Sequence, residues 1–379
     1  MVTGRNLNRL NIGASGIILN EQSGAVILGS GASTEGLQLG ASQTWTNNSS
    51  GLLTVTTLSN QSASQNFVLT MNGSGSGGFL ITGALRNEYD AGNTGTLSLV
   101  IDTAATTVTT LNGANSYTGT TTVTSGLLNF TRTSAKSSPS VTVAAAGSIG
   151  LGVGGGGFFN STAVDQLFSN TLAGVSMNAS SGVGIDTTNA TGGNFTYATN
   201  QSASRSLTKL GTNTLTLTGS NTYTGSTTVS AGTLLINGSV ASAVTVGADS
   251  VIGGTGTINS TLSLDSDAKF VLNLAEALTV TGAVSLDNTF SIASLVNADG
   301  SAVDWSLVDL GSYTLIDSGS DFSNIQNFGI GNAANIGGGK IAYFENGSLE
   351  LIVAVPEPST WLLLAGGLTW AMVMRRRRL

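Results

Sequence analysis

The sequence predicts an all-β chain: a right-handed parallel β-helix, or β-solenoid, closed by a β-rich C-terminal cap and followed by a single C-terminal transmembrane helix. Three observations predict it. A twenty-residue unit occurs twice in the middle of the chain. Short runs of Thr, Val, Leu and Ile alternate with polar residues and are cut by Gly and Asn. An apolar run ending in four arginines stands at the C-terminus.

The repeat comes first, because repeats decide architecture. Leu111 to Phe130 aligns without gaps to Leu217 to Ile236, with eleven of twenty positions identical. The match resumes at Val141-Thr142-Val143 against Val244-Thr245-Val246, and Ile149-Gly150 matches Ile252-Gly253. Strands are expected at Thr214 to Thr218, Thr233 to Ile236, Val244 to Val246, Thr261 to Leu264 and Phe270 to Leu274. Almost no segment before the tail shows a convincing helical period, and Ala275 to Val280 is too short to count.

Glycine supplies positive φ at corners and Asn tolerates it. One coil cannot bury its apolar face alone, so stacked coils make a continuous core. Right-handed winding follows from the handedness of parallel crossovers. With roughly 20 residues per coil, about 17 coils at about 4.8 Å give a rod of about 80 Å.

The unit resembles the autotransporter-associated β-strand repeat, carried nearly whole by Lys209-Leu210-Gly211 and Leu215 to Leu235. In the first copy Leu127 replaces Thr233 and Asn129 replaces Leu235. The resemblance covers about 95–265 and implies a right-handed β-helical passenger on a bacterial surface. No translocating β-barrel segment accompanies it in this sequence. The expected organisation is a degenerate solenoid over 1–94, repeats over 95–284, a β-rich cap over 285–354 and a sorting tail over 355–379. The cap expectation rests on six aromatics, Trp305, Tyr313, Phe322, Phe328, Tyr343 and Phe344, and on the need to cover an end coil.

The tail reads in three parts: Val355-Pro356-Glu357-Pro358, an apolar run from Trp361 to Met374, and Arg375, Arg376, Arg377 and Arg378. The run spans roughly 21 Å as a helix, short for a bilayer core of about 30 Å. A transmembrane helix over about 360–374 fits, with Ser359 and Thr360 free to lengthen it. The arginines keep the end cytoplasmic. The prolines favour an extended, accessible stretch at the membrane face. This order resembles the PEP-CTERM sorting signal of Gram-negative bacteria. The resemblance implies the general secretion machinery and exosortase, a membrane-embedded cysteine protease, as partners. It implies passage through the inner membrane, then the cell surface, outer membrane or extracellular matrix, often amid exopolysaccharide.

Composition excludes much chemistry. The chain has no cysteine and no histidine, which removes disulfides, thiolate sites, a Cys nucleophile, Ser-His-Asp chemistry and His-based zinc sites. Up to Ala354 it holds nine Lys and Arg against nineteen Asp and Glu, a diffuse acidity that disfavours nucleic acid. No cofactor is expected. MVTGRNLNRLNIGASG lacks an apolar signal-peptide core, so the expectation is that the true start lies upstream.

The remaining candidates are few. Tyr117 and Tyr223 admit carbohydrate stacking or packing against a coil corner, and packing is the expectation. Asp265 and Asp267 are taken to share one strand and one face; Asp317 and Asp321 flank a turn; both pairs are read as solvated surface. Gly152 to Gly157 reads as a broad loop, not a phosphate loop. Gly253-Gly254-Thr255-Gly256 lacks the Asp of a calcium-binding nonapeptide. The function expected is a non-enzymatic surface or matrix protein for adhesion or biofilm structure. The alternatives are a secreted glycan-binding or glycan-cleaving protein and a degenerate gene fragment.

Overall fold

The structure is a computed structural model describing residues 10–356, apart from 30–35, 61, 63, 88–93, 137–139, 320–321, 323–326 and 346–348. The chain is all-β with parallel sheets, and 45% of the described residues are strand. Alternation is the local cause. Leu53–Val55, Val244–Val246 and Leu262–Leu264 each bury their first and third residues and turn the middle one outward.

Strands far apart in sequence pair in parallel and in register. Twelve rows form one continuous spine from Val26–Leu28 to Val284–Leu286. At about 4.8 Å per row it is about 53 Å long, shorter than the rod expected from a uniform coil. The residues after Leu286 add no row to the spine, and coil length varies: Thr227 meets Val244, seventeen residues on, whereas Ile149 meets Val183, thirty-four on.

One inward row of the spine reads Leu28, Val55, Ile81, Leu111, Phe130, Leu151, Ile185, Lys209, Val229, Val246, Leu264 and Leu286. Eleven members are apolar and one is a lysine. Two further rows complete the coils of the second half: Asn194–Tyr197 through Leu295–Val296, and Ser220–Asn221 through Ile316–Ser318. One large apolar cluster fills the interior from Leu19 to Val353, and Val251, Val271 and Val296 form a small second one with Leu235 against it.

The two repeat copies occupy different sheet rows. Thr121 to Val123 pairs with Leu99 to Ile101 below and Val141 to Val143 above, a row whose last described strand is Val175–Met177. Thr227–Val229 pairs with Leu207 to Lys209 on the spine. The frame changes within residues 153–206, which also hold the α-helix among the described residues, α1 (Ser161–Phe168). This helix corrects the expectation of none before the tail. Asn160 caps it by accepting from the Ala163 N–H at 3.0 Å, and Val164, Leu167 and Phe168 face the core at helical spacing.

Asp265 and Asp267 also differ from expectation. The strand ends at Leu264, so both acids sit in the following turn, Asp267 at φ 60°. Over the last coil lies an antiparallel sheet in the order Gly311–Thr314, Glu350–Ala354, Lys340–Glu345, Ala334–Gly337. Its Phe344 stacks on Phe290 at 5.5 Å and meets Phe328 at 5.7 Å.

Corner glycines allow close stacking of coils. At Gly254 φ is 118°, and a Cβ would stand 2.2 Å from the Ile236 carbonyl oxygen. Gly254→Ala is expected to cost at least about 1–3 kcal/mol through its backbone conformation alone, read as a lower urea midpoint. Gly156→Ala, with nothing within 4 Å of its Cβ, is expected to leave the midpoint unchanged.

Candidate functional site

The frame change gathers the buried charges among the described residues, Asp186, Arg205 and Lys209, with half-buried Asp165 beside them. Where the row ends at Met177, corner carbonyls lose the coil that would cover them, and buried polar groups need partners. Arg205 supplies them. Its Nε donates to the Phe168 carbonyl at 2.9 Å, and one terminal nitrogen donates to the Asn178 carbonyl at 2.6 Å and the Ser181 hydroxyl at 2.7 Å. Burial lowers its pKa. Asp165 on α1 accepts from Tyr197 Oη at 2.5 Å and Gln201 Nε2 at 3.2 Å, joining the helix to the first strand of the new row. Burial, then Asp165, raises the Tyr197 pKa.

Asp186 accepts from Asn129 Nδ2 at 2.7 Å and from the Thr188 N–H at 2.9 Å. Gly150 makes room for Asn129: a Cβ there would stand 2.8 Å from Asn129 Oδ1. Thus Asn129, which breaks the repeat pattern, reaches a buried carboxylate. Lys209 is fully buried. Its ammonium donates to the carbonyls of Leu210, Gly211 and Ala231 at 2.9, 2.6 and 2.8 Å. Gly211 and Gly232 take φ of 76° and 67° in these two corners, a backbone conformation open to glycine. Burial pushes Lys209 down to about 7, against a pull upward from Asp186. The cluster can hold backbone groups together.

Sequence reasoning missed Asp165, Asp186 and Arg205 and took Lys209 as a mere lead-in. The available signal was phase: Lys209 stands two residues after Leu207, on the inward side of an alternating strand.

The repeat tyrosines are interior. Tyr117 and Tyr223 are 0% and 1% exposed, and their hydroxyls pair with Thr121 and Thr227 at 2.8 and 2.5 Å. Burial pushes Tyr223 up to about 12. Neither ring is available to stack on a sugar. The repeat asparagines tie coils together: Asn115 accepts from the Leu85 N–H at 2.9 Å and donates to the Ala135 carbonyl at 2.6 Å. Asp265 lies with Asp287 of the next coil in a polar depression of about 430 Å³. Asp317 is on the strand Ile316–Ser318, and Asp321 is outside the described residues. Among the described residues no three acids gather as metal ligands would.

At the C-terminal end, Glu350–Ala354 is an inner strand of the cap sheet. The chain leaves it directly at Val355, 58% exposed, and Pro356. Glu357, Pro358, the run at about 360–374 and Arg375 to Arg378 lie outside the described residues. No helix among the described residues is long and apolar enough to cross a membrane. The sorting motif therefore follows a folded sheet with no spacer.

A family model for the passenger-associated-transport repeat matches residues 93–130 and 207–236. A second, for the PEP-CTERM protein-sorting motif, matches residues 354–378. No curated protein and no solved structure matches the chain. The chain therefore carries passenger-associated-transport repeats and ends in a PEP-CTERM motif, the mark of an exported protein sorted by exosortase.

Proposed function

We propose that the chain is a non-enzymatic structural component of the cell surface or extracellular matrix, serving adhesion or biofilm cohesion in contact with exopolysaccharide. The coils wind right-handedly, and the apolar run at about 360–374 crosses the inner membrane as a helix until exosortase cuts near Pro358. The observation that carries this reading is the union of a sorting tail with a stacked-coil body whose buried charges serve backbone corners. The exposed acids support it. The Thr289 N–H and hydroxyl hold the Asp287 carboxyl below its usual range, the wrong direction for a general acid near neutral pH. Deleting the gene is expected to weaken surface attachment and cell aggregation. Unchanged attachment, aggregation and matrix texture would sink the proposal.

A second reading, a glycan-binding body, draws on one observation. A groove of about 310 Å³ crosses several coils, with Leu127 and Leu210 among its walls and hydroxyls from Ser148, Ser206, Thr208 and Thr228. Such a surface suits neutral sugars better than charged ligands. Filling it with Ser206→Arg and Ser226→Arg is expected to abolish retention on matrix polysaccharide under this reading, and to leave it unchanged under the first.

A further inference from the structure

The cap sheet has one end from which the tail departs, and the register identifies its neighbours. Gly311 pairs with Val353 and Ile341 pairs with Ala354, so Leu310 and Lys340 flank the exit of Val355. Lys340 Nζ donates to the Trp305 and Val308 carbonyls at 3.1 and 2.6 Å, which draws Leu307 to the same end. Leu307 is 79% exposed, Leu310 54% and Val355 58%. Single exposed leucines need no explanation. Here, however, three of the nine large exposed hydrophobics among the described residues belong to segments at one sheet end, Leu310 level with Ala354 and Val355 level with Lys340.

We propose that this end of the cap rests on the outer surface of the bilayer that holds the tail, with Leu307, Leu310 and Val355 dipping into the headgroup region. The inference depends on the reading that the apolar run spans the membrane. The length of chain favours lipid as the occupant. Residues 356–360 separate Val355 from Trp361, six steps that reach at most roughly 22 Å when extended. So short a tether keeps the patch at high effective concentration above the membrane, and three side chains suffice where they would be too few for a free protein.

Charge does not drive the contact. Asp304, held ionised by the hydroxyl and N–H of Ser306, and Asp309 flank the patch, while the nearby ammonium of Lys340 is taken up by carbonyls. Anionic lipid should therefore weaken the contact. Seating the cap this way sets Pro356 to Pro358 at the membrane face, where a membrane-embedded protease works.

The chain has no cysteine, so one can be placed at will. The full chain with Asp309→Cys, carrying an environment-sensitive fluorophore, is reconstituted in phosphatidylcholine vesicles containing lipid spin-labelled near the headgroup. Ser266→Cys on the body is the control. Co-flotation with the vesicles reports anchoring, and quenching reports contact. The expected result is co-flotation with quenching at 309 at least about twofold above that at 266, lost when Leu307→Ser and Leu310→Ser are added. Co-flotation with equal quenching at both sites overturns the cap contact and leaves anchoring intact, as does quenching that survives the two serines. A chain that does not float overturns the spanning reading, and the cap contact with it. Self-quenching between labels without quenching by lipid assigns the patch to a second copy and also overturns the proposal.

Discussion

The native chain is expected to gain stability between about pH 7 and pH 10.5, and Lys209→Met is expected to remove most of that gain. The cause is the place of Lys209 in an apolar ladder between Ile185 and Val229. Burial holds the folded lysine at about 7, whereas the unfolded lysine titrates near 10.5. Between these values the unfolded chain binds more protons, so unfolding becomes harder as pH rises, by a few kcal/mol across the window. Above it the neutral amine still donates to two of the three corner carbonyls of Leu210, Gly211 and Ala231. Methionine donates none, and each buried orphan acceptor costs about 1–3 kcal/mol. At pH 10 the variant is therefore the less stable protein, and its own midpoint moves far less with pH than that of the native chain. Urea midpoints of both chains from pH 6.5 to 10 check this. A native midpoint that does not move would show that the ammonium keeps its charge at no cost in the fold.

The second large effect concerns the tail. Replacing Pro356, Glu357 and Pro358 together by alanine is expected to stop processing outright and to hold the intact chain in the inner membrane. Alanine removes the fixed φ of both prolines and the extended preference before them, and it removes the carboxylate of the motif. The folded body should be unaffected, because the last strand ends at Ala354 and leans on Lys340–Glu345 and Gly311–Thr314. Fractionation and blotting of native and substituted chains check this. Normal release of the substituted chain would mean that cleavage does not read the motif.

The parts legible in the sequence are those set by local alternation and by exact copies. Val244–Val246 and Thr233–Ile236 appear as read, because both are strongly β-prone runs: the first buries alternate residues, and the second buries all but Leu235. Tyr117 and Tyr223 pack at corners because each hydroxyl finds a threonine four residues on. The tail motif was legible because its order, not its fold, carries the message.

The frame change was not legible, since it is decided by contacts distant in sequence. Arg205 reaches back to Phe168 and Asn178, and Asp186 to Asn129. The eight residues of α1 give too few turns for periodicity to outweigh the β pattern around them. The rod was overestimated because residues after Leu286 add no row to the spine and because a mean coil length conceals insertions such as 153–181. Asp265 and Asp267 were assigned to a strand because alternation alone does not mark where Leu264 gives way to a turn.

The most direct test of the account is the position of the mature C-terminus, read by mass spectrometry on protein from cell-surface and secreted fractions. The account predicts a chain that ends near Pro358, with the apolar run and the four arginines gone. An intact chain through Leu379, recovered from the inner membrane, would contradict it.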